Sequence, residues 1–211
     1  MSNQEVEIHV DPLCPWCWLT ALWLFEVERV RPIIITTKLF SLAEINRAHA
    51  EAEHAAALKA GEDALRVMVA ARRAGGEKAV RATYVALGEA NHERSENLGA
   101  IDVLRAAVSS AGLEASVAEE AVADPSTLDE LLAEHGAAVE RGAFGVPTLS
   151  IDGGPAFFGP IVDTRITGEE AGELWDKVAP VLVEPRLFEL KRTRTGKAEV
   201  GRHRERIAAV H

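Results

Sequence analysis

Two cysteines, Cys14 and Cys17, are the residues with the clearest capacity for chemistry. They are the only cysteines among 211 residues and are spaced three apart in a Cys-Pro-Trp-Cys motif. A disulfide kept for stability usually closes a longer loop, because cross-linking near neighbours removes little entropy from the unfolded chain. Metal binding would need at least two further ligands, and the chain offers no other cysteine. The pair therefore indicates thiol–disulfide chemistry.

The sequence around the motif predicts different roles for the two thiols. Cys14 follows a strand-like alternation and precedes an apolar helical pattern, so it should lie at a helix N-terminus. Free N–H groups and the helix dipole stabilise a thiolate there, which predicts a lowered pKa and a nucleophilic Cys14. Pro15 suits the first helical turn because it has no N–H to lose. Cys17, one turn further in, should be buried, remain a thiol and attack a mixed disulfide on Cys14.

The elements that must position this motif predict an α/β fold. Residues 5–11 and 33–40 have the pattern of strands on either side of the helix, which makes a β–α–β unit with parallel strands. Residues 42–142 are rich in alanine, glutamate, leucine and arginine and predict four or five helices, with breaks near Gly61, Gly75–Gly76, Gly88–Asn91, Gly112 and Asp124–Pro125. The remaining predicted elements are strands at 148–151 and 156–158, joined by a hairpin turn, and a helix at 168–183.

This order of elements is the layout of a thioredoxin-like fold with an inserted all-helical domain. The thioredoxin-like domain is predicted to comprise residues 1–41 and 143–185. The helical insertion, residues 42–142, is long enough to form a lid over the active site. Residues 186–211 are predicted to be a basic C-terminal tail, either solvated or acting as a docking strap.

Further residues are candidates for binding a substrate. The bond between Val146 and Pro147 precedes a predicted strand and is a candidate cis peptide. In a thioredoxin-like fold this loop lies beside the two cysteines, and the backbone of Val146 would pair with the substrate. Trp16 should face outward and offer an apolar platform to a small organic thiol or an aromatic ligand. His92 and Asn46 could reach the site from the helical insertion.

The composition of the chain limits the classes of binding partner and the cellular location that we expect. The net charge of −10 argues against nucleic acid, because a negative surface repels a phosphate backbone. No apolar run approaches the roughly 18 residues that cross a bilayer, so no membrane partner is expected. The first ten residues lack the basic start and apolar core of a signal peptide, which predicts a cytoplasmic protein. The oligomeric state expected is a monomer or a homodimer.

Five segments of the chain resemble the mycothiol-dependent nitroreductase group of the DsbA-like family. They occur in the same order between Asp11 and Thr195, and the similarity is weakest in the helical region. The segments are DPLCPWCW (11–18), SLAEIN (41–46), PAFFGP (155–160), GEEAGELWD (168–176) and FELKRTRT (188–195). The segment with the two cysteines is shared by a broader DsbA-like group. PAFFGP and FELKRTRT together restrict the resemblance to the mycothiol-dependent nitroreductase group.

The resemblance implies an enzyme whose dithiol cycles through Cys14 and Cys17. It implies that Cys14 is the nucleophile, Cys17 the resolving residue and Pro147 the cis-proline. It also implies that mycothiol, or another small thiol, is a co-substrate and not a bound cofactor, and that nitro-aromatic compounds are reduced. Val146 stands where the family pattern would have threonine, a change that leaves backbone pairing intact.

Other functions are compatible with the same motif. A protein dithiol oxidase or isomerase of the DsbA-like kind would share the fold and the two cysteines. A non-redox binding module would use the cysteines for a metal or for nothing. The kappa-type transferases and chromene-carboxylate isomerases resemble this fold but typically have serine at the position of Cys14, so the intact pair argues against them.

Overall fold

A four-stranded mixed sheet carries the redox motif at the end of its first strand. The computed structural model describes residues 3–48 and 52–200. The strands are β1 (Gln4–Val10), β2 (Ile33–Leu39), β3 (Thr148–Ile151) and β4 (Phe157–Phe158). Their order in the sheet is β2-β1-β3-β4, with β1 parallel to β2, antiparallel to β3, and β3 antiparallel to β4. β1 forms because Val6, Ile8 and Val10 alternate with polar residues and are buried in the core.

Helix α1 (Pro15–Val30) follows the motif and packs against the last helix, α7 (Gly168–Leu182). The Trp23 and Trp175 rings meet between them with centroids 6.0 Å apart. The indole N–H of Trp23 donates a hydrogen bond of 3.1 Å to the carbonyl of Ala171. Arg31, which ends α1, forms ion pairs with Asp176 of α7 and with Glu169. The helix that carries the cysteines is therefore held firmly on this face of the molecule.

Between β2 and β3 the regular elements of the described chain are all helical. They are α2 (Leu42–Ile45), α3 (Ala52–Gly88), a π-helical turn (Glu89–Glu93), α4 (Ile101–Ser110), α5 (Val117–Ala123) and α6 (Pro125–Glu140). The predicted α/β arrangement with a helical insertion is confirmed. None of the helices in the described ranges is both long enough and apolar enough to cross a membrane.

Helix α3 is longer than the sequence suggested and contacts the motif through glycines. The predicted break near Gly61 is wrong, since the helix continues through it, whereas the predicted break at Gly75–Gly76 corresponds to a kink at Gly76, where φ is 67°. A Cβ atom at Gly61 would collide with Leu13, and one at Gly88 would collide with the indole of Trp18. The two glycines therefore allow the α3 backbone to approach the residues on either side of the cysteine pair.

Candidate active site

Cys14 lies at the N-cap of α1, beside the loop that contains Pro147. Its backbone is extended, and its Sγ accepts a hydrogen bond from the backbone N–H of Cys17 at 3.4 Å. The half-buried Cys14 thiol lies 3.7 Å from the carbonyl oxygen of Val146. The Val146–Pro147 bond is cis, as predicted. The fold thus brings residues more than 130 positions apart, Cys14 and Val146, into direct contact.

Cys17 is the buried member of the pair. Its Sγ lies 3.7 Å from the carbonyl of His9, and the hydroxyl of Tyr84 donates to the same sulfur at 3.7 Å. Both cysteines are free thiols in this structure. Burial raises the pKa of Cys17 well above the ordinary value for a thiol, and the neighbouring Cys14 raises it further. Cys17 is buried, as predicted, and its raised pKa favours the thiol form.

Asp11 is a buried carboxyl group that connects the redox loop with the helical segment. One carboxyl oxygen accepts a hydrogen bond of 2.9 Å from the backbone N–H of Leu13, and the other accepts one of 2.8 Å from Leu42 at the start of α2. Burial raises the pKa of Asp11 to about 6, although both N–H groups act to lower it. This carboxyl group, which sequence analysis did not include among the site residues, lies three positions before Cys14 with its pKa raised to about 6.

The pKa of the Cys14 thiol is raised in this arrangement. Burial is the largest cause; the backbone N–H of Cys17 lowers the pKa, and the nearby Asp11 raises it again. The prediction of a lowered pKa is therefore wrong for this structure. It considered the helix N-terminus alone and omitted the burial of the thiol and the carboxyl group three residues earlier, both of which disfavour a thiolate.

We expect Asp11→Asn to make Cys14 more reactive. The amide carries no charge, so the pKa of Cys14 falls, and alkylation by iodoacetamide at pH 7 becomes several-fold faster. The variant also changes stability with pH. Because folding raises the pKa of Asp11 from 3.8 to about 6, its stabilising contribution is present below about 3.8 and is lost as pH rises through about 6. Wild type should therefore lose about 2–3 kcal/mol relative to Asp11→Asn between pH 4 and 7.

Alkylation rates and urea unfolding across this pH range measure both effects. The matched control is Asp129→Asn, which removes an exposed carboxylate from α6 and should change neither the alkylation rate nor the pH dependence. A pH dependence that is identical in wild type and Asp11→Asn would show that Asp11 does not titrate in the folded protein.

Trp16 and Arg194 place the C-terminal tail at the motif. The half-buried Trp16 ring lies under the guanidinium of Arg194, with 5.2 Å between the guanidinium carbon and the ring centroid. This is the geometry of a cation–π contact. The charge of Arg194 also acts to lower the pKa of Cys14. The contact favours the docking-strap interpretation for the described part of the tail; residues 201–211 lie outside the described residues.

His92 and Asn46, the two candidates from the helical region, have different surroundings. His92 lies in the π-helical turn, stacked on Trp18 with centroids 6.1 Å apart. Burial lowers its pKa to about 4, opposed by the carbonyl of Pro12, and its Nε2 atom is buried without a hydrogen bond in the described structure. Asn46 is exposed and donates to the carbonyl of Leu42 at 2.8 Å, an interaction local to α2.

Sequence analysis missed an aromatic pair beside the Pro147 loop. Phe144 and Phe158 stack with centroids 4.9 Å apart and are 67% and 36% exposed. Phe158 contacts Gly145, where a side chain would crowd its ring. Phe158 belongs to the PAFFGP segment, and Phe144 precedes the Gly-Val-Pro sequence by one residue, so the proximity of both to the loop was visible in the sequence.

Tyr84 was also missed, although the sequence contained a signal. It is the single tyrosine of the chain and occurs within an apolar stretch of a predicted helix. A buried tyrosine hydroxyl usually finds a hydrogen-bond partner. The partner, Cys17, could not be inferred because it lies 67 positions away.

Among residues 3–48 and 52–200, no group of three or more His, Cys, Asp or Glu side chains is arranged to hold a metal ion.

Comparison with known proteins identifies the family. The family model for the Rv2466c-like proteins, described as mycothiol-dependent nitroreductase Rv2466c, matches residues 13–192. The chain belongs to this family. A relative within the curated proteins, the uncharacterized protein Rv2286c of Mycobacterium tuberculosis, is 32% identical over 192 residues, which are 90% of this chain and 82% of the relative. The resemblance to the mycothiol-dependent nitroreductase group, which the sequence motifs of this Rv2466c-like chain indicated, is confirmed.

Solved structures establish the fold of this Rv2466c-like chain. A probable DsbA oxidoreductase from Streptomyces coelicolor has a TM-score of 0.60 at 18% identity, covering 92% of this chain and 95% of the other. A putative protein disulfide isomerase from Nitrosomonas europaea has a TM-score of 0.59 at 16% identity, covering 85% and 98%. The predicted thioredoxin-like fold with a helical insertion is confirmed.

Proposed function

We propose that this protein is a thiol–disulfide oxidoreductase in which Cys14 and Cys17 cycle between dithiol and disulfide. In this proposal a small thiol, mycothiol, supplies the electrons, and nitro-aromatic compounds accept them. The observation that supports it most directly is the position of Cys14, whose sulfur lies between the N–H of Cys17 and the carbonyl of Val146. Membership of a family described as mycothiol-dependent nitroreductases supports the identity of the thiol and the acceptor.

The proposed cycle balances in two half-reactions. A small thiolate attacks Cys14 of the disulfide, so a mixed disulfide forms and Cys17 leaves as a thiolate. A second thiolate attacks the small-thiol sulfur, and the products are the small-molecule disulfide and the reduced Cys14–Cys17 pair. The dithiol then transfers two electrons and two protons to a nitro group, giving a nitroso group and water, and the protein disulfide forms again.

Five other residues would contribute to substrate binding in this proposal: Pro15, Trp16, Val146, Pro147 and His92. Pro15 begins α1 and leaves the space before the first turn free of an N–H donor, while Trp16 offers its ring to the organic part of a thiol or to a nitro-aromatic ring. The backbone of Val146, next to Pro147, would pair with an extended substrate. His92 is proposed to shape the site by stacking on Trp18, the residue that follows Cys17.

A second candidate function is a protein dithiol oxidase or isomerase. The exposed pair of Phe144 and Phe158 supports it, since an apolar surface beside the Val146 backbone would suit an unfolded polypeptide. The cytoplasmic location proposed for the protein favours reduction, because the cytosol keeps thiols reduced.

The test compares electron donors and acceptors on the wild-type protein. Mycothiol, glutathione and thioredoxin are each supplied with their own NADPH-dependent reductase, and NADPH consumption is followed with a nitro-aromatic compound or with insulin disulfides. We expect mycothiol with the nitro-aromatic compound to give the fastest turnover. Faster reduction of insulin, or equal rates with all three donors, would contradict the proposal and favour the second candidate.

A further inference from the structure

Tyr84 is a buried group that the cycle above does not use. Its ring is fully buried on α3, and its hydroxyl donates to Cys17 Sγ at 3.7 Å. The hydroxyl therefore contacts one of the two reacting sulfur atoms. It does so from α3, which belongs to the helical segment between β2 and β3.

The position of this hydroxyl is fixed by packing around Trp18. The Tyr84 ring meets the Trp18 indole edge-on, with centroids 5.9 Å apart. Gly88, one helical turn after Tyr84, lets the α3 backbone approach the same indole, where any side chain would collide. Trp18 is adjacent to Cys17 in the sequence, so a close approach of α3 to Trp18 also brings Tyr84 to the sulfur.

We propose that Tyr84 is a catalytic residue that stabilises the thiolate of Cys17 by donating its hydroxyl hydrogen to the sulfur. This inference rests on the proposed function, because it requires the two cysteines to cycle. A thiolate at a buried site is unfavourable unless hydrogen bonds compensate for the lost water.

The surroundings of Cys17 show why this donor matters. Burial, the neighbouring Cys14 and the Asp11 carboxyl all raise the pKa of Cys17. The carbonyl of His9 can only accept a hydrogen bond, so it cannot stabilise a thiolate. Two groups act in the opposite direction, the backbone N–H of Asp11 and the hydroxyl of Tyr84. The hydroxyl is the one that a substitution can remove while the backbone stays intact.

The hydrogen bond acts in both steps that form the Cys17 thiolate. When a small thiolate opens the disulfide at Cys14, the Cys14–Cys17 bond breaks and Cys17 leaves with the electron pair. In the reverse direction, the Cys17 thiolate attacks the mixed disulfide, forms the bond to Cys14 and releases the small thiolate. The Tyr84 proton stays on its oxygen throughout, since burial raises the pKa of Tyr84 well above the ordinary value.

Tyr84→Phe tests this role because it keeps the ring against Trp18 and removes only the hydroxyl. The oxidised protein is mixed rapidly with glutathione or with dithiothreitol, and tryptophan fluorescence follows the opening of the disulfide. We expect the variant to react about tenfold more slowly, the effect of losing a hydrogen bond to a charged group. In a Cys14→Ser background, ultraviolet titration of the Cys17 thiolate should show a higher pKa for Tyr84→Phe, which a purely structural role would not produce.

Thr83→Val is the matched control. Thr83 is also fully buried on α3, and its hydroxyl has no hydrogen-bond partner in the described structure, so its removal should leave both measurements unchanged. Wild-type kinetics and an unchanged Cys17 pKa in Tyr84→Phe would overturn the proposal, as would an equal slowing in Thr83→Val. Both probes are general thiols, so the result does not depend on whether mycothiol or a nitro-aromatic compound is the natural substrate.

A second measurement covers the case in which Tyr84→Phe does not fold. Because the chain has a single tyrosine, biosynthetic incorporation of 3-fluorotyrosine alters position 84 alone. The fluorinated phenol is the more acidic and the better hydrogen-bond donor, so it should lower the pKa of Cys17 and speed the opening of the disulfide by dithiothreitol. A rate and a pKa equal to those of the unlabelled protein would overturn the proposal.

Discussion

Replacing Cys14 with serine should abolish thiol-dependent turnover, whereas replacing Cys17 with serine should stop the protein at a mixed disulfide. A hydroxyl group is a far weaker nucleophile than a thiolate and cannot form a disulfide, so Cys14→Ser loses the first covalent step. Cys17→Ser keeps that step and loses the second thiol, so the adduct on Cys14 has no internal group to release it and persists when no free small thiol is present. Loss of a nucleophile predicts a fall in kcat of at least about a thousandfold for Cys14→Ser.

Mass spectrometry and steady-state assays measure the two outcomes. After incubation with the disulfide of the small thiol, Cys17→Ser should carry one added thiol on Cys14 and Cys14→Ser none. Equal melting temperatures for both variants and wild type serve as the control for folding. Turnover by Cys14→Ser above the uncatalysed rate, or a stable adduct on Cys17, would exclude the assigned roles.

Trp16→Ala should reduce activity toward nitro-aromatic compounds much more than activity toward a protein disulfide. Stacking on a flat ring contributes about 0.5–1.5 kcal/mol beyond the burial of area. Lost apolar contact adds about 25 cal/mol for each Å² returned to water. Together these predict a loss in kcat/KM from several-fold to about a hundredfold for a nitro-aromatic substrate. A polypeptide should be affected less, because pairing with the backbone of Val146 does not involve the indole.

The measurement uses both substrates at one pH and one concentration of small thiol. Trp16→Phe is the matched control, since it keeps an aromatic face and should retain most of the activity. Arg194→Ala removes the guanidinium group whose carbon lies 5.2 Å from the centroid of the Trp16 ring. This variant shows how much of the effect of Trp16→Ala comes from losing the contact with the tail and how much from losing substrate stacking. Equal losses on both substrates in Trp16→Ala would remove this residue as a platform for small molecules.

The sequence was informative wherever a structural feature depends on neighbouring residues. The alternation of Val6, Ile8 and Val10 predicts a strand, and Pro32, which cannot continue a helix, follows the end of α1 by two residues. Pro147 was recognised as a candidate cis residue because it precedes a strand, and the bond is cis. Each of these features depends on backbone preferences or side-chain periodicity over a few residues, which a sequence displays directly.

Features that depend on contacts distant in sequence could not be predicted. Gly61 was interpreted as a helix break because glycine is a poor helix former, yet its lack of a side chain serves the contact with Leu13. The raised pKa of Cys14 results from burial, which the local motif does not reveal. The catalytic roles of the two cysteines, the substrate contacts of Trp16 and His92, and the division into domains stay predictions.

The glycine contacts of α3 have a mechanical consequence. At Gly61 and Gly88 the helix presents bare backbone to Leu13 and Trp18, so no side chain of the helix interlocks with the redox motif at these two points. Surfaces without interlocking side chains can slide or separate without any rotamer change, which removes one source of friction from a relative motion. A larger residue at either position would act as a wedge between the helix and the motif. The two glycines therefore determine both the short distance between α3 and the motif and the absence of interlocking helix side chains at these two points.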